Sequence, residues 1–172
     1  MKEKQLRRIA ARYERFTDEQ LILLIRNEIG NLQPEVLPIL DQIARERNLP
    51  AVVQETIRVQ QQGLSKEEMI NLVKWYRSLP CPYCGTTHTP LNACQIGSNG
   101  FLLGCKECIQ QNAINYLTSG RLFGLFTAIV NQTQYDQVIN EALGETPTIT
   151  LLEYIHQHVG QLYANMKDEQ EA

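Results

Sequence analysis

Four of the five cysteines fall in two Cys-x-x-Cys pairs inside one short segment, CPYCGTTHTPLNACQIGSNGFLLGCKEC, residues 81 to 108. Thiols paired in this way exchange electrons as a dithiol, hold a catalytic metal, or hold a metal that only shapes the backbone. The surroundings decide among the three. Cys81-Pro82-Tyr83-Cys84 comes after a helical stretch and before Gly85, two threonines and a strand-like run. A redox dithiol instead follows a strand and opens a helix, whose positive end makes the first thiolate available. Cys105 and Cys108 follow after a gap of 20 residues, at the upper end of the spacing of a tetrahedral four-thiolate site.

Between the pairs the pattern predicts a hairpin, with TPLNACQI as one strand, GSNG as the turn and FLLG as the return strand. Gly85 stands just behind the first pair and Gly104 just before the second, where a missing Cβ lets backbone amides approach the sulfurs. The order Cys-Pro-x-Cys-Gly, hairpin, Gly-Cys-x-x-Cys resembles a zinc ribbon over residues 80 to 109, with Cys81, Cys84, Cys105 and Cys108 at the positions of that family's ligands. The resemblance implies one structural Zn2+ per chain rather than an iron site of rubredoxin type. Four thiolates leave no position for water or substrate, so the ion is expected to be closed and inert. A segment this small buries too little to fold unaided, and structural zinc contributes on the order of 10 kcal/mol in small modules.

The remaining candidate ligands read differently. His88 lies four residues after Cys84, but with four cysteines available it is expected to be an exposed or hydrogen-bonding side chain. His156 and His158 are two apart on a predicted helix, about 200° around it, too far apart in direction to grip one ion. Cys94 is expected to be a small, half-buried thiol in a strand.

The elements that must carry this segment are helical. Thr17 with Gln20, Ser65 with Glu68 and Thr150 with Glu153 have the spacing of capping boxes, each with an apolar residue before the cap for a hydrophobic staple. Pro34 and Pro50 suit a first helical turn, and Gly30 and Gly63 suit left-handed helix ends. Helices are thus predicted over 3–14, 17–29, 34–48, 50–62 and 65–78. Leu37, Leu40, Ile43 and Ala44, then Met69, Leu72, Val73 and Tyr76, recur at helical spacing. After the cysteines the same period continues through Ile109, Ala113, Tyr116 and Leu117 to Gly120, with a helical pair or one bent helix over 122–143. One last helix is expected to bury Leu151, Leu152, Ile155, Val159, Leu162 and Tyr163. The expected fold is mainly α-helical with a small two-stranded β zinc ribbon, α+β overall. It is divided as a helical region 1–79, the ribbon 80–109 and a helical region 110–172 packing on the first helices in one compact unit.

A second likeness runs further. GCKECIQQNAINYLTSGRLFGLFTAIVN is similar to uncharacterised bacterial proteins in which a zinc ribbon leads directly into a Gly-containing apolar helical hairpin. YERFTDEQLILLIRNEIGNLQPEVLPILDQIARERNL resembles a helical pair near the start of such chains. No activity comes with that resemblance. Relatives with a more apolar hairpin imply membrane contact, whereas here Gly124, Thr127 and Asn131 interrupt the run.

At 172 residues, 43% hydrophobic and 20% charged, the chain has the composition of one folded soluble unit. It contains no uninterrupted apolar stretch of bilayer length. Its opening MKEKQLRRIAARYERF lacks the apolar middle of a secretory signal, so a cytoplasmic location is expected. Residues 1–80 carry 13 Lys and Arg against 11 Asp and Glu, a net +2, and residues 81–172 carry 3 against 8, a net −5. Phosphate-binding glycine loops, histidine-acid-nucleophile groups and supported carboxylate pairs are not found, so no catalytic residue is assigned.

The leading expectation is a non-enzymatic, zinc-stabilised adaptor presenting the ribbon and Arg121, Leu122, Phe123 and Phe126 to a protein partner. Nucleic-acid binding through Arg7, Arg8 and Arg12 is the alternative, opposed by a ribbon whose only full charges, Lys106 and Glu107, cancel. Attachment to a membrane surface through 122–130 is the third reading, with a buried core helix as the competing expectation for that run. An apolar patch around Leu122 to Phe126 would also allow a homo-oligomer.

Overall fold

Helix α1 (Glu3–Tyr13) turns at residues 14–17 into α2 (Asp18–Glu28), whose start is a complete capping box. The Gln20 N–H donates to Thr17 Oγ1 at 3.3 Å and the Thr17 N–H donates to Gln20 Oε1 at 3.0 Å. The structure, a computed structural model, describes residues 3–96, 100–119 and 146–171. Two 3-10 turns follow, Ile29–Asn31 and Pro34–Val36, and then α3 (Leu37–Glu46), α4 (Ala51–Gln62) and α5 (Lys66–Ser78). The hairpin pairs β1 (Asn92–Ile96) with β2 (Gly100–Gly104), and α6 (Lys106–Ser119) follows directly. Two helices end the chain, α7 (Ile149–Gln157) and α8 (Val159–Glu171). The fold is therefore mainly α-helical with one small antiparallel sheet. Among the described residues no helix is long and apolar enough to cross a membrane.

The chain forms two compact units, residues 1–72 with 155–172, and residues 73–154. The bounds of the two units fall inside α5 and α7.

In the first unit the helical stripes close on one core of Leu21, Ile25, Ile29, Val36, Leu37, Leu40, Ile43, Ala44, Leu49, Val53 and Ile57. Helix α8 lies along α4 and also meets α2. Arg47, just past α3, fixes the turn after α1: its guanidinium donates to Glu14 O at 2.6 Å and Phe16 O at 2.7 Å, and reaches Asp18 Oδ1 at 3.2 Å. Charge-assisted bonds to helix-end carbonyls satisfy groups that have no partner within the helix. Gly63 ends α4 with φ 77° and ψ −175°, a positive-φ conformation that favours glycine but is extended rather than the expected left-handed helix end.

Gly30 does not have that conformation. It lies inside the 3-10 turn Ile29–Asn31, and what matters there is its size: a Cβ would stand 2.6 Å from His158 Nδ1 and 2.8 Å from Gln157 O. That contact marks a second departure, since the last helical stretch is broken at His158 instead of running through. Gln60 of α4 fills the break, donating from Nε2 to Gln157 O at 3.1 Å and accepting the Gly160 N–H on Oε1 at 3.0 Å. Gly160 allows this approach, because a Cβ there would meet Thr56 O at 2.6 Å.

In the second unit Asn92↔Gly104 through Ile96↔Gly100 set the hairpin register. Among the described residues, buried Cys94 and Leu102 pack with Ile109 of α6. Asn92 fastens the chain before α7, donating to Thr146 O at 3.3 Å and accepting the Thr148 N–H at 2.9 Å. Thr148, not Thr150, caps α7: its Oγ1 accepts from the Leu151 N–H at 3.1 Å and donates to Ala93 O at 2.7 Å. Tertiary bonds from β1 thus move the helix start two residues early. Ile149 is consequently 75% exposed rather than stapled, and Leu152 is 42% exposed rather than in the core. The expected helices over 122–143 lie outside the described residues.

Candidate metal centre

Cys81 and Cys84 sit on the turn that follows α5. The Gly85 N–H donates to Cys81 O at 2.8 Å and the Cys81 N–H to Thr86 O at 2.9 Å, closing the chain tightly around the first pair. Gly85 has φ 73°, a left-handed conformation that disfavours any residue with a Cβ.

The second pair is built differently. Cys105 stands between β2 and α6, its carbonyl accepting the Ile109 N–H at 2.9 Å. Cys108 is therefore in the first helical turn, where unpaired backbone N–H groups favour anionic sulfur. The sequence pattern begins the helix at Ile109. Glu107, an acidic residue suited to a first turn, is the signal that would have placed it three residues earlier. Gly104 leaves room for the Tyr83 ring, whose Cδ2 lies 3.2 Å from where a Cβ would stand.

The four sulfurs of Cys81, Cys84, Cys105 and Cys108 all lie within 4.8 Å of one another. An ion with four metal–sulfur bonds of about 2.3 Å sets its sulfurs about 3.8 Å apart. Cys84 Sγ and Cys105 Sγ are 3.7 Å apart, close to that edge length and far beyond a disulfide bond of about 2.0 Å. None of the five cysteines is in a disulfide. The Cys105 N–H points at Cys81 Sγ at 3.3 Å, an amide placed to stabilise a thiolate. The donor set is thus compatible with one soft metal ion.

The electrostatics carry the same message. Burial pushes the Cys81 thiol up, but the N–H groups of Cys105, Cys84 and Tyr83 outweigh it and bring it down to about 6. Burial drives Cys105 well above the ordinary thiol range, against the opposing Cys108 amide. Burial and then the Cys84 side chain push Cys108 up to about 11. Four sulfurs this close cannot all be anions without a cation among them, so a divalent ion would replace the protons that stay on.

Access is uneven across the cluster. Cys81 and Cys105 are 2% and 1% exposed, Cys108 is intermediate and Cys84 is exposed. His88 is exposed, its N–H donating to Thr86 Oγ1 at 3.3 Å, and it is not in the sulfur group. Cys94 is fully buried in β1 instead of half-buried. His156 is exposed, and burial lowers the pKa of half-buried His158 beside Gly30.

Arg7, Arg8 and Arg12 are exposed on α1, with the Arg12 guanidinium 5.8 Å from the Phe16 ring centre. Arg121, Leu122, Phe123 and Phe126 lie outside the described residues. Comparison of the chain with protein-family models, curated proteins and solved structures gave no match.

Proposed function

We propose that Cys81, Cys84, Cys105 and Cys108 hold one structural Zn2+ ion, and that the chain is a zinc-stabilised adaptor without enzymatic activity that binds a protein partner in the cytoplasm. The observation that carries this reading is the convergence of four thiols, and of no carboxylate or imidazole among the described residues, within 4.8 Å. Four sulfur donors complete a tetrahedron, whereas catalytic zinc keeps a position open for water. The likeness of Cys-Pro-x-Cys-Gly and Gly-Cys-x-x-Cys to a zinc ribbon favours zinc over iron. When bound, the ion supplies cross-linking of two chain turns and no reaction step.

Metal analysis of the purified protein should give one zinc per chain, and X-ray absorption should show sulfur alone at about 2.3 Å around it. An oxygen neighbour on the ion would make the site open and the adaptor reading untenable. Partners captured by the zinc-loaded chain should be lost by Cys105→Ser. Exposure of Arg7, Arg8 and Arg12 on one basic helix supports nucleic-acid binding as the second reading. Salt-sensitive oligonucleotide binding that disappears when all three become Ala would put that reading first.

A further inference from the structure

The ligand cage is closed to coordination but not to attack from outside. Two of its sulfurs, Cys81 and Cys105, are almost wholly buried, while Cys84 stands on the surface of its turn and touches Cys105 sulfur to sulfur at 3.7 Å. Exposure and thiolate character together select which cysteine an oxidant reaches first, and a second thiol within reach decides whether the product is reversible. Among the described residues, Cys94, Leu102 and Ile109 pack together behind the hairpin that the two cysteine pairs flank.

We propose that Cys84 is a site of oxidation by hydrogen peroxide, and that its disulfide with Cys105 expels the metal and loosens the hairpin. This rests on the metal reading above. The Cys84 thiolate attacks one peroxide oxygen; the O–O bond breaks, sulfur is oxidised to sulfenic acid, and the departing oxygen leaves as hydroxide and becomes water on protonation. The Cys105 thiolate then attacks the Cys84 sulfur, the S–O bond breaks, and a second hydroxide takes a proton. One peroxide, two thiolates and two protons give one disulfide and two waters. Cys81 and Cys108 are left as the sole donors, too few to retain the ion. Closing 3.7 Å to a bond of about 2.0 Å is within reach of side-chain rotation at an exposed turn.

The test treats the zinc-loaded full chain with hydrogen peroxide, follows zinc with a chromogenic chelator, and maps disulfides by mass spectrometry after alkylation. A Cys84–Cys105 disulfide should appear in step with zinc release, and dithiothreitol with added zinc should reverse both. Cys84→His keeps four donors while replacing the exposed ligand residue, and should slow release about tenfold or more, whereas His88→Ala, outside the sulfur group, should not. A first disulfide without Cys84, or release from Cys84→His at the native rate, would overturn the proposal. Should either variant fail to load zinc, the disulfide map of the native chain decides. Protein purified without zinc would sink the metal reading and with it the expulsion step, while the order in which dimedone labels the peroxide-treated thiols still decides the site of oxidation: Cys84 first supports it, and any other cysteine first refutes it.

Discussion

The helical unit and the hairpin unit are held by different physics. In the first, eleven buried apolar residues from α2, α3, α4 and the turns between them form one core. In the second, Cys94, Leu102 and Ile109 form a small buried cluster behind the hairpin among the described residues, and four further cysteines bring their sulfurs within 4.8 Å of one another. Apolar burial contributes about 1.5–3 kcal/mol per large side chain, so the first unit can be stabilised by its own packing. For the hairpin the described residues show tight turns and the Asn92 and Thr148 hydrogen bonds, to which the proposed ion would add ligand bonds. With that ion in place, one chain would divide its stability between a cooperative apolar core and a few strong, chemically vulnerable bonds.

The sharpest way to break that contrast is Cys105→Ser or strong chelation. Loss of a structural ion should remove stabilisation on the order of 10 kcal/mol from the hairpin unit. Amide exchange should become fast over 91–109 while α2, α3 and α4 remain protected. Uniform loss of protection instead would mean that the two units do not differ in this way.

Next in size is Ile57→Ala, at a fully buried position of the helical core. It should cost about 2–5 kcal/mol and lower the melting temperature, with bound zinc per chain unchanged. Metal lost along with the helical core would erase the distinction.

The smallest change is Gly85→Ala. Nothing lies within 4 Å of the added Cβ, so the cost comes only from the φ of 73°. That is about 1–2 kcal/mol, read as weaker zinc retention against a competing chelator with little change in helicity.

Features made by neighbours in the chain were the ones legible in the sequence. Thr17 with Gln20 and Ser65 with Glu68 are separated by one turn, and both boxes are present in the structure. The stripe Leu37, Leu40, Ile43 and Ala44 is buried throughout. The cysteine spacing likewise carries its own geometry, because two short turns joined by a hairpin bring four sulfurs together. What sequence did not reveal was decided from a distance. The cap of α7 falls on Thr148 because Asn92 and Ala93 hold it there. The size of Gly30 serves a contact with Gln157 and His158, far along the chain, and not a helix end. The start of α6 at Lys106 was hidden because the apolar helical period begins only at Ile109, leaving the acidic Glu107 as the local mark of a first turn.

One carboxamide has a consequence beyond its place in the packing. Gln60 joins two backbone groups that an unbroken helix would have joined to its own next turn, so it acts as a removable splice in the final segment. A leucine of similar bulk at that position would leave a carbonyl and an amide stranded, whereas glutamate could serve the amide alone. By surface area Gln60 is an unremarkable half-buried polar residue, yet its tolerance to replacement should be set by its two-headed chemistry, in which one end gives a hydrogen and the other takes one.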